Sequence, residues 1–253
     1  MTSHNLQTGT LPQTTITNNS LMGYQYLIIF SMVYMMIMIC NGILTNRYVS
    51  LTEHIFILGG TLTSPLTFIL GDMIAEIFGY KVAKRIIWSG FASLMLFALI
   101  CRFIVRAPYP DFFQNFYPYY FVLDQLLYIV VSSFLSFMIS GLINIYIITK
   151  WKILLRGRYF WLRSLGASTI AEALYSAIAI LLMEVGSISL SNIWKVILVS
   201  YSIKVTYSII LAIPSNLLVN YIKHVTKIDI YDYPPNYNPF ENNDAQQEVK
   251  LSS

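Results

Sequence analysis

Five long apolar stretches constrain the fold of this chain more than any other feature of its sequence. They cover residues 24–44, 86–105, 126–149, 165–183 and 196–222. Each is close to the length of about 20 residues that a helix needs to cross the hydrocarbon core of a bilayer. Only 11% of the residues are charged, well below the proportion of about 25% in soluble domains. We therefore expect an all-α integral membrane protein.

A sixth apolar stretch, residues 55–77, is interrupted by residues that are poor choices for a lipid-facing helix. The interrupting residues are Gly59, Gly60, Ser64, Pro65 and Gly71. Broken helices are tolerated at membrane depth where they line a cavity inside the protein, and they often form the sites of transporters. We therefore predict six transmembrane helices, of which the second is broken near Gly59–Pro65.

The distribution of basic residues predicts the orientation of the chain. With six spans, most of the 16 Lys and Arg residues fall on the face that carries both termini. Positively charged loops stay in the cytoplasm, so we expect both termini there, in a bacterial inner membrane. The net charge of +4 then reflects orientation in the lipid bilayer and not nucleic-acid binding. We expect a disordered cytosolic tail at 1–23, a transport domain at 24–223 and a cytosolic tail at 224–253.

Several chemistries have no support in the sequence. There is no GxxxxGK[ST] motif for ATP hydrolysis and no HExxH motif for zinc. The three histidines lie far apart in the sequence, and Cys40 and Cys101 do not have the spacing of metal ligands. We expect no cofactor, no metal and no enzymatic activity.

Ionisable residues inside the apolar stretches are the candidates for function, because a charge at the bilayer centre costs about 2.5–3.5 kcal/mol on insertion scales. Lys204 lies eight residues into the last stretch, about 12 Å deep at the rise of a helix. Glu172 lies at a similar depth in the preceding stretch, which runs antiparallel to it. An ion pair between the two is geometrically possible.

Asp72 and Glu76 are four residues apart and therefore share one face of a helix. Two like charges on one face repel unless they bind something. They either mark a site or mark a helix end that surfaces among headgroups with its basic neighbours. Asn41 and Gln125 are neutral polar residues that either hydrogen-bond across helices or contact a ligand. Asp124 and Glu184, near span ends, are expected at the membrane interface.

Three segments of the chain resemble the bacterial queuosine precursor transporter family, which is also called the vitamin-uptake-transporter-like family. The segment TLTSPLTFILGDMIAEIFGYKVAKRIIWSGF carries most of the resemblance, and RSLGAST and YSIKVTYSIILAIP add to it downstream. Asn41 and Arg47 also stand where the family has an Asn and a basic residue. Ser176 is a departure, because the family usually has an Asp there, and a carboxylate occurs earlier at Glu172.

The resemblance implies uptake of 7-cyano- or 7-aminomethyl-7-deazaguanine for queuosine modification of tRNA. We expect Glu76 or Glu172 to accept hydrogen bonds from the donor edge of this purine-like ring, as carboxylates do. Asp72 would orient or balance that carboxylate, and Lys204 would neutralise it. The remaining expected contacts are polar contacts to the carbonyl and aromatic stacking on the ring, from Asn41, Gln125, Phe68, Trp88 and Tyr201.

Two other functions stay open at this point. The first is the substrate-binding membrane subunit of a multi-component vitamin importer, since such subunits are also small, span the membrane six times and lack nucleotide motifs. The second is a membrane enzyme acting on a lipid substrate, for which Asp72 and Glu76 alone are thin support. A homodimer is compatible with each function, although no motif indicates one.

Overall fold

The computed structural model describes residues 18–53, 55–114, 116–184, 186, 189–232 and 247–249. In this part of the chain, six helical segments are long and apolar enough to cross a membrane. The helices are α1 (Asn18–Leu44), α2 (Ser64–Phe78), α3 (Tyr80–Val105), α4 (Phe116–Leu154), α5 (Phe160–Glu184) and α6 (Leu190–Thr226). The predicted fold class of a six-span, helical, multi-pass membrane protein is confirmed.

The second span is broken where the sequence predicted, but its first residues form a strand and not a helix. Strand β1 (Tyr48–Thr52) pairs with β2 (Ile55–Leu58) in an antiparallel hairpin. A 3-10 turn (Gly59–Leu62) follows, and α2 begins at Ser64. Pro65 lies in the first turn of α2, where its missing N–H costs nothing. The helical part of this span is therefore only 15 residues, or about 22 Å, long.

The glycine at the break is required by close packing against the end of α1. A Cβ atom on Gly60 would lie 2.0 Å from Oγ1 of Thr45 and 2.8 Å from Oδ1 of Asn41. Thr63, just before α2, donates to the same Asn41 oxygen at 2.9 Å. At the break, the 3-10 turn therefore packs closely against α1, and only a residue without a side chain fits at position 60.

The two ends of the helix bundle differ, and we name them by what covers them. On the hairpin side lie the β1–β2 hairpin, the ends of α1, α3 and α5, and the starts of α4 and α6. On the tail side lie the ends of α2, α4 and α6 and the segment after α6. There β3 (Ile230–Asp232) pairs with β4 (Gln247–Val249).

The structure shifts one predicted tail boundary and leaves the rest of both tails as predictions. Helix α1 begins at Asn18, before the predicted end of the N-terminal tail at residue 23, because the apolar pattern continues upstream through Leu21 and Met22. The predicted disorder of residues 1–17 lies outside the described residues. So do residues 233–246 and 250–253 of the predicted C-terminal tail.

Helix α2 occupies the centre of the bundle. In the span that contains α2, 78% of the residues in the apolar part are buried, against 22–50% in the other five spans. Its aromatic side chain Phe68 packs on Phe137 of α4 and Tyr175 of α5, at ring centroid distances of 5.4 and 5.8 Å. The tight turn into α3 is made by Gly79 at a φ of 84°, a conformation that glycine adopts at little cost. Polar residues on α2 therefore face protein and not lipid.

Candidate transport site

Glu76, near the end of α2, is held by cations at the tail side of the bundle. Arg163, in the first turn of α5, donates to both carboxylate oxygens at 2.8 and 2.9 Å. Lys223 of α6 donates to Oε1 at 2.5 Å. The side chains of Glu76 and Arg163 are 1% and 0% exposed. This bidentate geometry is the strong form of an ion pair, so both oxygens of Glu76 are engaged by the protein.

A second acidic residue, Asp229, extends this cluster beyond the last helix. Lys152, near the end of α4, donates to Oδ1 of Asp229 at 2.7 Å and to the backbone carbonyls of Glu76 and Ile230. Lys223 also lies 3.0 Å from Asp229. We call Glu76, Lys152, Arg163, Lys223 and Asp229 the tail-side cluster. It ties together α2, α4, α5, α6 and the segment leading into β3.

Asp72 lies one helical turn from Glu76, and its surroundings are different. Oδ1 accepts a hydrogen bond from the side-chain amide of Asn144, and Oδ2 accepts from the hydroxyls of Ser164 and Ser168. Its side chain is 0% exposed. The carbonyl oxygen of Asn144, on the other side of the same amide group, has no partner among the described residues. Neutral donors thus surround Asp72, whereas cations surround Glu76.

Glu172 and Lys204 lie further toward the hairpin side, and serines link them to the facing helix. Lys204 donates to Ser176 at 2.9 Å, and Ser208 donates to Oε1 of Glu172 at 3.1 Å. These contacts form two rungs between α5 and α6, in each of which an ionisable residue of one helix contacts a serine of the other. Oε2 of Glu172 is buried with no hydrogen-bond partner in the described part of the chain. A carboxylate oxygen left this way in the bilayer is costly unless something binds it.

Two small voids share wall residues, and Lys204 lines one of them; we call the two together the midplane compartment. One is lined by Asn41, Ser64 and Lys204, and the other by Tyr34, Thr67 and Phe137; Asn41 and Tyr175 line both. Each has a volume of about 20 Å³, which is room for a water molecule. The hydroxyls of Ser64 and Tyr34 have no described partner. A larger ligand would require the compartment to widen.

A larger cavity opens on the hairpin side, and we call it the vestibule. Its volume is about 740 Å³, which is within the usual range of small-molecule sites. Arg102, Asp124, Gln125 and Glu184 supply its polar groups. It shares the wall residues Thr45, Leu58 and Met183 with the midplane compartment. A ligand that enters the vestibule is therefore separated from Lys204 by one layer of side chains.

The structure brings together only some of the residues predicted for the site. Asn41 and Lys204 line the compartment, and Phe68 packs on its wall residue Tyr175. The three carboxylates Asp72, Glu76 and Glu172 are also buried and lie further toward the tail side; together with Lys204 we call them the polar column. Three of the predicted residues lie apart from the compartment. Gln125 lines the vestibule. Trp88 and Tyr201 are half-buried, and Trp88 packs against Phe134.

Sequence reasoning missed several buried partners. Glu76 was expected to contact substrate, and its binding to Arg163 and Lys223 was not anticipated. Arg163 was counted as a basic residue of the cytoplasmic face and as the first residue of the RSLGAST segment, but not as a partner of Glu76; its place just before an apolar run was the available signal. Asn144 lies in a plain apolar stretch, where a small polar residue carries little signal by itself. Ser164 and Ser168 belong to the RSLGAST segment but were not assigned to the site. Tyr175, which lies 4.7 Å below the Lys204 ammonium, was also missed as a wall residue.

A comparison with protein families decides the class of this protein. Residues 58–219, well over half of the chain, match the family described as putative vitamin uptake transporter. The chain belongs to this family. Comparisons with curated proteins and with solved structures find no significant match. Membership of the vitamin uptake transporter family makes this protein a multi-pass membrane transporter of vitamin-like substrates, and it favours a transporter over an enzyme.

The family match covers the polar column described above. It includes α2 with Asp72 and Glu76, the whole of α5 with Glu172, and α6 as far as Val219. Asn41 of the midplane compartment and Lys223 of the tail-side cluster lie outside it. The region that matches the family therefore contains most of these buried polar groups.

Proposed function

We propose that this protein imports a queuosine precursor, 7-cyano- or 7-aminomethyl-7-deazaguanine, and binds it in the midplane compartment after this has widened to reach Glu172, which lines neither void in this structure. The observation that carries the proposal is the buried, unpartnered Oε2 of Glu172 beside the Lys204 rung. A 7-deazaguanine ring presents adjacent N–H donors on one edge and a carbonyl next to them. A free carboxylate oxygen and an ammonium group on neighbouring rungs complement that edge.

The structure favours Glu172 over Glu76 as the acceptor of the donor edge. Both oxygens of Glu76 already accept hydrogen bonds from Arg163 and Lys223, and breaking this buried pair is expensive. Glu172 accepts only from Ser208, through its other oxygen. Lys204 donates its hydrogen bond to the neutral Ser176, so it can turn toward a ligand carbonyl while keeping its electrostatic interaction with Glu172.

Aromatic residues around the compartment fit a flat ring. Phe68 and Tyr175 pack edge-to-face, and Phe137 lies 5.4 Å from Phe68. Asn41 lines both voids beside Tyr175. We propose that Phe68 and Tyr175 stack on the ring and that Asn41 contacts its polar edge. Trp88, Tyr201 and Gln125 remain proposals without a contact to the compartment; Gln125 suits a first encounter in the vestibule.

The two sides of the bundle suggest the direction of transport. The vestibule is open on the hairpin side, whereas the tail-side cluster closes the other end. With the tail side in the cytoplasm, as the basic residues predict, the structure has the form of an outward-facing importer. The tail-side cluster then acts as the inner gate, and Glu76 is its central anion.

Uptake of labelled 7-deazaguanines in bacterial cells that can neither make nor import them tests this proposal. We expect wild type to restore uptake and Glu172→Gln to abolish it, with both proteins present in the membrane in equal amounts. Asp111→Asn is the matched control, because Asp111 is an exposed loop carboxylate. No binding of either compound by purified wild type would refute the proposed substrate. Binding without uptake would favour the binding subunit of a multi-component importer.

A further inference from the structure

Two carboxylates one turn apart on α2 differ in whether they can change protonation state. Glu76 is surrounded by Arg163 and Lys223, whose side chains only donate hydrogen bonds and carry fixed positive charge. These partners hold Glu76 in its ionised form. All three partners of Asp72 are neutral: one amide and two hydroxyls.

The neutral partners of Asp72 can satisfy it with or without a proton. A serine hydroxyl both donates and accepts, so Ser164 or Ser168 can reverse its hydrogen bond and accept one from a protonated Asp72. Asn144 has the same property, because its unpartnered carbonyl oxygen would face Asp72 if the amide turned over. The neighbours of Asp72 can therefore satisfy its hydrogen bonds both when it is ionised and when it is protonated.

We propose that Asp72 binds the proton whose inward movement drives substrate uptake, so that the protein is a proton symporter. The site lies between the Glu172 rung on its hairpin side and Glu76 on its tail side. A proton arriving from the hairpin side binds to one oxygen of Asp72, and a serine hydroxyl turns to accept it. When the tail side opens, the proton leaves to water there, and the hydroxyl donates to the carboxylate again.

The charges around Asp72 make this position suitable for a proton that binds and leaves. A negative charge on Glu172, on the hairpin side, would favour an arriving proton. Lys204 offsets part of that charge, and the surplus positive charge of the tail-side cluster opposes the proton. The charged residues of the helices around α2, with Glu76 of α2 itself, are Lys81, Lys84, Arg85 and Arg102 of α3, Asp124, Lys150 and Lys152 of α4, Arg163, Glu172 and Glu184 of α5, and Lys195, Lys204 and Lys223 of α6, which also carries the titratable His224. The described part of α1 carries no charged residue.

A proton fits this site better than a sodium ion does. The hydroxyl of Ser168 lies 3.1 Å from Oδ2 of Asp72, and Ser164 and Asn144 are also in direct hydrogen-bond contact with the carboxylate. A metal ion would have to replace all of these contacts at once. A proton needs only the rotation of a hydroxyl.

The test uses purified protein in lipid vesicles and rests on the proposed function for its substrate, labelled 7-aminomethyl-7-deazaguanine. We expect wild type to accumulate it when a pH gradient is imposed, by about tenfold for each pH unit if one proton moves with one substrate. We expect Asp72→Asn to exchange labelled for unlabelled substrate across the membrane but to lose accumulation. Asp111→Asn, the exposed loop control, should accumulate like wild type.

Several outcomes would overturn the inference. Accumulation driven by a sodium gradient and indifferent to pH would replace the proton with sodium. Accumulation by Asp72→Asn equal to wild type would remove Asp72 from the coupling. Absence of exchange by wild type would instead refute the proposed substrate.

If wild type shows no exchange, proton binding at Asp72 can still be tested by a measurement that needs no substrate. The infrared absorption of protonated carboxylic acids is followed while purified protein is titrated. We expect a titrating band that Asp72→Asn lacks and Asp111→Asn retains. A wild type without such a band, or a band unchanged in Asp72→Asn, would contradict proton binding at Asp72 whatever the substrate is.

Discussion

Replacing Glu76 with Gln should strongly destabilise the protein, and the tail-side cluster allows the size of the effect to be worked out. Gln keeps the shape of Glu but removes the negative charge that Arg163 and Lys223 share. Arg163 is fully buried and would be left without an anion. Removing one partner of a buried ion pair costs about 3–5 kcal/mol. We expect a loss of that order in the free energy of unfolding.

The assay is unfolding of the purified protein by titration with a denaturing detergent. Asp124→Asn is a matched control, because Asp124 pairs with Arg106 at 2.9 Å but both side chains are solvent-accessible. Such exposed pairs contribute about 0–1 kcal/mol. Arg163→Lys should fall between the two, because Lys cannot make the bidentate contact. If Glu76→Gln costs no more than Asp124→Asn, the argument that buried charge holds the tail side closed is wrong.

The same variant should open the tail side to reagents. A cysteine placed at Ser140, which is fully buried on α4, would report access after Cys40 and Cys101 are replaced by Ala. We expect a membrane-impermeant thiol reagent, applied from the tail side, to label it faster in Glu76→Gln than in an otherwise wild-type background. Equal labelling rates would show that the cluster stabilises the fold without acting as a gate.

Three further substitutions test other contacts by the same detergent titration. Gly60→Ala should cost about 1–3 kcal/mol by overpacking against Thr45, whereas Gly71→Ala, which meets no atom within 4 Å, should not destabilise; equal effects would contradict the packing argument. Asp229→Asn should cost about 1–2 kcal/mol because it removes the carboxylate that binds Lys152 and Lys223; no change in stability would show that the segment after α6 does not contribute to the gate. Tyr48→Phe should cost about 1 kcal/mol through its lost bond to Glu184, and an equal loss in the exposed Tyr117→Phe would refute this.

The helices were predictable because apolar length is a direct consequence of bilayer thickness. All five uninterrupted stretches lie inside helices of the structure, and the break before α2 is where Gly59, Gly60 and Pro65 indicated. The β1–β2 hairpin was not predicted, since residues 55–58 are as apolar as a helix would be. Short apolar runs of β-branched and aromatic residues do not distinguish a strand from a buried helix.

The sequence identifies the ionisable residues that are costly to place in a membrane, but it does not identify the residues with which they pair. Burial of Asp72, Glu76, Glu172 and Lys204 follows from their place in apolar stretches. Their partners depend on which helix faces which and on the rotation of each helix. A difference of one turn decides that Glu76 meets Arg163 and that Asp72 meets serines. Sequence spacing within one helix carries no information about that alignment.

The burial of α2 has a consequence for how the protein is made. This helix is only 15 residues long and contains two carboxylates, so it is a poor candidate for insertion into lipid by itself. The partners that make it tolerable, Asn144, Ser164 and Arg163, are synthesised some 70–90 residues later. During synthesis α2 must therefore wait at the membrane for α4 and α5. Substitutions in α5 should show up first as misinserted, degraded chains, before any defect in transport is seen.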